Sequence, residues 1–167
     1  VITNIDHDHV DCYPTIEDVM DVFARFVRLV DDDGYVVVSG HDGNIARALA
    51  EAKEYFDNTG RQFPKVVTCA TDSEKCVVTG RKADFVAENI TFNNGLPEFD
   101  IVINDKQRIS VKLRIPGSHN IANALNAAAA AYLNGASPEA IKSALDDFGG
   151  ADGRYTIKGK YKGCDVV

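Results

Sequence analysis

The sequence lacks the usual devices for cradling a triphosphate or activating a nucleophile. No GxxxxGK(S/T) phosphate loop occurs in its 167 residues, and no GxGxxG dinucleotide turn. A GxSxG elbow and an HExxH pair are also missing, which removes the simplest esterase and metalloprotease readings. Basic charge is scarce: 18 Lys and Arg against 25 Asp and Glu leave a net charge of -7. Wrapping of DNA or RNA is thereby excluded as the main business, because neutralising phosphates needs a basic surface. A small anionic ligand remains compatible, since a few local cations or a helix N-terminus hold one. No apolar run approaches the ~18 residues of a membrane span, and no signal peptide is visible, so no membrane partner is expected. The cysteines (Cys12, Cys69, Cys76 and Cys164) show no CxxC spacing, and Cys69 and Cys76 lie seven apart with no histidine nearby. They read as reduced thiols of a cytoplasmic protein rather than a metal site or a disulfide framework.

What is present suits one domain with a sizeable core. The chain is 45% hydrophobic and 26% charged, as in ordinary globular proteins. It opens on Val1-Ile2-Thr3 and closes on Cys164-Asp165-Val166-Val167, both strand-like and without a polar tail. Complete domains end in loosely held, exposed residues, so an incomplete piece of a larger α/β enzyme is expected.

Periodicity supplies the elements. Val1 to Ile5 reads as a short buried strand. From Thr15 to about Val30, Ile16, Val19, Phe23, Phe26, Val27 and Val30 recur at helical spacing, with Thr15 and Asp18 as a capping box. Tyr35 to Val38 is a continuous β-rich run, the pattern of a parallel strand covered on both faces. Asp42 caps a second helix whose Ile45, Leu49, Ala52 and Phe56 share a face, and Lys65 to Cys69 makes another buried strand. This alternation predicts a parallel sheet with right-handed crossovers. After Ala70 come the short runs Lys75–Thr79, Asp84–Phe92, Phe99–Asn104 and Arg108–Ile115, separated by turns such as Asn93-Asn94-Gly95. The expected fold class is therefore α/β, a mostly parallel sheet with flanking helices and an antiparallel β-ribbon insertion at roughly 75–115. Helices from His119 to about Asn134 and from Ser137 to Phe148 follow, the latter with proline at its first position. Tyr155–Lys160 and Cys164–Val167 read as strands.

Three stretches carry residue types suited to chemistry. Asn4-Ile5-Asp6-His7-Asp8-His9-Val10-Asp11 sits at a strand's carboxyl end, where open α/β sheets bind ligands. His9 is a candidate ligand for a divalent cation there, against the alternative of a polar loop whose aspartates solvate the turn. In Pro116-Gly117-Ser118-His119-Asn120-Ile121-Ala122-Asn123, Asn120 and Asn123 are three apart at a helix start and share one side of the first turn. A carboxamide pairs bidentately with an adenine edge, although Ser118 or Asn120 acting as a simple helix cap accounts for the same residues. In Gly149-Gly150-Ala151-Asp152-Gly153-Arg154-Tyr155, Arg154 is either a phosphate-binding fork after a glycine turn or a surface arginine. His41, at another strand end, is the weakest of these candidates.

Taken together and in this order, Thr3-Asn4-Ile5, Asp8-His9-Val10-Asp11, Pro116 to Ala124 and Gly150 to Tyr155 resemble the motifs of a Mur ligase central domain. The resemblance spans essentially the whole chain, and its strength lies in four short motifs in register. It is nearest to the alanine-adding members. Other amino-acid-adding members carry a carbamylated lysine on the helix after the Asp-His motif. Here Thr15 to Val30 holds Arg25 and Arg28 but no lysine, with Phe23-Ala24 about where it would fall. The family often has paired arginines where this chain has Gly153-Arg154, so only Arg154 carries over.

The resemblance implies an ATP-dependent amide-bond ligase of peptidoglycan synthesis with Mg2+ as the metal. UDP-N-acetylmuramate and L-alanine would be its substrates, joined through an acyl phosphate. It implies that His9 binds magnesium while Asp8 orients its loop. It also implies that Asn120 and Asn123, with His119, hold adenine, and that Arg154 contacts phosphate as the catalytic arginine. The family's phosphate loop and acidic magnesium ligand normally lie upstream of Val1, and its C-terminal domain after Val167. Residues 1–167 are thus expected to be a partial central domain that does not turn over by itself. Another Mur-type ligase, a folate polyglutamate ligase and a non-catalytic nucleotide-binding module are the alternatives.

Overall fold

The computed structural model describes residues 1–151 and 158–166. Helix α1 (Ile16–Val27) starts at Thr15, whose hydroxyl accepts the Asp18 N–H while the Asp18 carboxylate accepts the Thr15 N–H: the expected capping box. Strand β1 (Tyr35–Ser39) leads into α2 (Gly43–Thr59), then β2 (Lys65–Ala70). Asp42 caps α2 through the N–H groups of Asn44 and Ile45, and Gly60 ends it with left-handed backbone at φ 70°. Strands β3 (Phe85–Asn93), β4 (Leu96–Ile103) and β5 (Gln107–Lys112) follow, then α3 (His119–Leu133) and α4 (Pro138–Asp147). A small ladder of β6 (Gly159–Tyr161) and β7 (Cys164–Val166) pairs separately.

The large sheet runs β1-β2-β3-β4-β5, with parallel pairing between β1, β2 and β3 and antiparallel pairing onward. The expected ribbon is therefore a continuation of the sheet. Its first hairpin turns at Asn94 and Gly95, both with positive φ (51° and 81°), as a two-residue turn between right-twisted strands demands.

Two cores lie on opposite faces. Along β1, Val36 and Val38 join Ile5, Met20, Ala24, Ile45 and Leu49 beneath α1 and α2. Val37, pointing the other way, joins Phe85, Ile101, Val111, Ile121 and Leu125 beneath α3 and α4. Ala124, Ala128 and Ala129 of α3 are all buried, and their small side chains let the helix lie close on the sheet. At the antiparallel end the outer face is wet. There Arg108 bridges Glu88 (2.7 Å) and Asp100 (2.9 Å), and Asp100 also receives Asn89 and Ser110. These three donors hold the Asp100 carboxyl below the usual range, with the Ser110 and Asn89 hydrogen bonds foremost.

Two expected strands are absent as ladders. Only Ile2 of Val1–Ile5 bridges β1, opposite Val38. The backbone groups further along bond to side chains instead: Ser39 donates to the Thr3 carbonyl, Asp42 accepts the Ile5 N–H, and Asn44 donates to the Ile5 carbonyl. Residues 75–79 form a turn rather than a strand. A single bridge joins Lys75 to Lys82, the Gly80 N–H donates back to the Cys76 carbonyl, and the Val78 N–H donates to the Gly40 carbonyl. The expected strand at Tyr155–Lys160 falls largely outside the described residues.

Candidate functional site

The chain leaves β5 through an apolar segment and turns sharply at Gly117 into α3. Gly117 has φ 102°, and a Cβ there would sit 2.6 Å from Cε1 of His119, so the imidazole lies directly against the glycine. Ser118 occupies the N-cap position with helical backbone and makes no side-chain cap bond. Asn120 does not cap the helix either: its Nδ2 donates to the Pro116 carbonyl at 2.7 Å, closing the turn. Asn123 Nδ2 donates to Asn120 Oδ1 at 3.3 Å. The two carboxamides thus share one side of the first turn, as their spacing requires. Asn120 is committed on both ends of its amide, whereas the carbonyl oxygen of Asn123 has no hydrogen-bond partner among the described residues.

These side chains border a cleft of about 600 Å³, within the range of small-ligand sites. Leu113, Ile115 and Pro116 form one part of its lining. His119, Asn120, Asn123, Ala124 and Ala127 present α3, while Ala144, Leu145 and Phe148 present the end of α4. Gly150 and Ala151 complete the lining. The cleft is apolar apart from its carboxamides and imidazole, the composition that suits a flat heteroaromatic ring with a polar edge.

The α4 wall is pinned to β5. The Lys112 N–H donates to Asp146 Oδ1 at 2.8 Å and Arg114 pairs with Asp147 at 2.8 Å, while within α4 Lys142 Nζ meets Asp146 Oδ2 at 2.5 Å. Partial burial pushes the Asp146 carboxyl up, but the Lys142 and Lys112 hydrogen bonds outweigh it and hold the group below its ordinary value. Helix α4 ends at Phe148, whose extended backbone (φ -67°, ψ 111°) carries the chain into the Gly149-Gly150 turn.

The second constellation is organised differently. Asp6 to Val10 are all exposed. His9 has left-handed backbone (φ 53°), its N–H donates to Asp8 Oδ1 at 2.7 Å, and its carbonyl accepts from Cys12 and Tyr13. His7 Nε2 contacts the Tyr13 carbonyl at 3.0 Å. Asp8 therefore orders the loop through backbone contacts. Among the described residues, no group of three His, Cys, Asp or Glu side chains converges to hold a metal. Imidazole alone does not select a hard cation such as Mg2+, which prefers oxygen donors, so His9 would be one ligand among others. His9 offers one nitrogen to such an ion.

A chain of contacts connects the two regions. Asn126 is 1% exposed, and its Nδ2 donates to the Ala122 carbonyl at 2.9 Å and reaches Ser39 Oγ at 3.5 Å. Ser39 Oγ in turn donates to the Thr3 carbonyl at 2.5 Å. The helix that bears the asparagines is thus linked through Ser39 to the segment that leads to His9.

Arg154 lies outside the described residues. His41 pairs with Asp72 at 3.0 Å on the surface and takes no part in the cleft. All four cysteines are free thiols; burial, followed by the neighbouring Asp84 and Cys76, pushes Cys69 up to about 12 and leaves it unreactive. Sequence reasoning missed the α4 wall, and Phe148 with it. The available signal was an aromatic residue at a helix end immediately before two glycines.

Residues 1–131 match the family model "Mur ligase middle domain". The UDP-N-acetylmuramate–L-alanine ligase of Clostridium novyi is 34% identical over 167 residues, covering 100% of this chain and 32% of that protein. The chain spans about a third of the length of the curated relatives it matches. Among solved structures, MurF from Acinetobacter baumannii superposes with a TM-score of 0.74 at 22% identity, covering 95% of this chain and 31% of that one. MurF ligase from Thermotoga maritima in complex with ADP gives 0.67 at 14% identity, covering 95% and 32%. At these identities the two structures establish the fold.

Proposed function

This chain belongs to the Mur ligase family through its middle domain, and from that premise we propose that it is the adenine-holding part of an ATP-dependent ligase. The reaction of the whole protein would be addition of L-alanine to UDP-N-acetylmuramate, as the names of relatives that match all of this chain over about a third of their own length suggest. The observation that carries the reading is the cleft that brings His119, Asn120 and Asn123 to one border of an apolar pocket. Asn123 presents an acceptor to the N6 amino group and a donor to N7 of adenine, while Asn120 holds it in place and braces the Pro116 turn. His119, stacked on Gly117, closes one side.

At the other region, Asp8 accepts the His9 N–H, and His9 is the residue assigned to a divalent cation. A bound Mg2+ would neutralise charge on the phosphoryl group being transferred to the substrate carboxylate. Arg154, four residues after the glycine at position 150 in the cleft's lining, is the residue assigned to phosphate contact. The lack of a lysine between Thr15 and Val30 favours the alanine-adding branch.

The test is phosphate release by the full-length protein. It should require ATP, UDP-N-acetylmuramate and L-alanine together. Turnover with a preformed peptide in place of L-alanine would move the protein to a muropeptide-recycling ligase, and turnover with a folate and glutamate would move it out of cell-wall synthesis. An open reading frame with no phosphate loop encoded before Val1 would remove the ligase reading and leave a nucleotide-binding module.

A further inference from the structure

The strongest feature that the base-site reading leaves unused is Phe148. It is a large aromatic side chain left 49% exposed at the mouth of an apolar cleft. Exposed phenylalanines are common singly and need no explanation by themselves. This one differs in three respects. It lines the same cavity as Asn120 and Asn123 but comes from the facing helix. The last turn of α4 just before it is tied to the end of β5, where the Lys112 N–H donates to Asp146 and Arg114 pairs with Asp147. Its own N–H still bonds to the Ala144 carbonyl at 3.1 Å, so the backbone at Phe148 belongs to the fixed end of the helix rather than to a free loop. An aromatic ring lining the same cleft as two carboxamides is what a flat base needs: edge recognition from one helix and a π face from the other.

We propose that Phe148 is the stacking platform for the purine base, and that it supplies affinity for the ring while Asn123 supplies the choice of adenine. The proposal rests on the base-site reading above and adds a residue to it. Stacking is tolerant of base identity because every base has a π face, whereas the carboxamide contact requires the N6 amino group and N7. The two residues therefore divide affinity and selectivity.

The experiment titrates the 167-residue chain with adenosine and with inosine, following the base H2 and H8 protons by NMR. Wild type should bind adenosine weakly, in the millimolar range that a base contact without phosphates gives, and shift both protons upfield through the ring current. Phe148→Leu keeps an apolar side chain but no ring. It should abolish the upfield shift and weaken adenosine by roughly five- to a hundredfold, the range of a lost base–aromatic stack. Phe148→Tyr should restore both. Asn123→Ala should keep the upfield shift but erase the preference for adenosine over inosine. Because Phe148 is half-exposed, circular dichroism and thermal unfolding of the leucine variant should match wild type. If Phe148→Leu binds adenosine like wild type while Asn123→Ala loses the adenosine preference, the stack is overturned and the base site stands. If wild type shows no adenosine binding, or neither variant changes it, the base site itself is overturned and the stack with it.

Discussion

The cleft between α3 and α4 and the loop around His9 lie at opposite extremes of preorganisation. The cleft has apolar walls, two asparagines braced against each other and against Pro116, and a facing helix tied to the end of β5 by one backbone and one charged contact. The His9 loop has the right residue types, but all of Asp6 to Val10 are exposed and no set of ligands converges among the described residues. On the reading proposed above, the difference separates the part of nucleotide recognition that is prebuilt in this chain from the part that is not. A base is recognised by shape and a few hydrogen bonds from a folded pocket. If His9 holds a magnesium ion as proposed, phosphate oxygens would supply some of the ligands that the loop lacks.

That contrast can be broken or sharpened by substitution. The largest effect is expected at Phe85, buried beneath α3 with its ring 5.8 Å from that of Tyr132. Phe85→Ala should cost about 3–5 kcal/mol in urea unfolding, and adenosine binding should fall with the folded fraction. Asp42→Ala comes next. It removes the cap of α2 and the acceptor for the Ile5 N–H together, so about 1–2 kcal/mol should be lost, and amide exchange should speed up in the Asp6–Val10 loop but not in the cleft.

A smaller effect is expected from acid. The Asp146 carboxyl is held below its unfolded value, so its contribution is present at neutral pH. That contribution is lost as pH falls from the ordinary carboxylate range through the lower folded value. Acidification should therefore loosen α4 from β5 and weaken adenosine, and Asp146→Asn should show the weakened state at neutral pH already. The smallest effect is expected from His9→Ala. Its side chain is exposed and contributes no packing, so stability should change by less than about 0.5 kcal/mol and adenosine binding not at all. A large loss of adenosine affinity in that variant would erase the distinction between the two regions.

Much of this architecture was legible in the sequence. Thr15 with Asp18, Asp42, and Ser137 with Pro138 mark three helix starts through local chemistry, and Asn94-Gly95 marks a hairpin because both residues tolerate positive φ. Asn120 and Asn123 could be placed on one side of a helix by spacing alone. The failures have a common cause in non-local contacts. Val1–Ile5 has a strand's composition, yet its backbone groups are claimed by the side chains of Ser39, Asp42 and Asn44, more than thirty residues away. Residues 75–79 read as a strand because Cys76, Val77 and Val78 are apolar, but Cys76 fills the space beside Gly40 instead of joining a ladder. Phe148 escaped notice because a cavity wall exists only once two helices meet. No periodicity encodes that.

The most direct test of the account is to map amide shifts of the 15N-labelled chain with adenosine and, separately, with magnesium chloride. Adenosine alone should move the amides of Gly117 to Ala124 and Phe148 to Ala151 while those of Asp8 to Val10 stay in place. Adenosine that leaves the cleft amides unmoved, or that moves them only once magnesium has shifted the His9 loop, would contradict it.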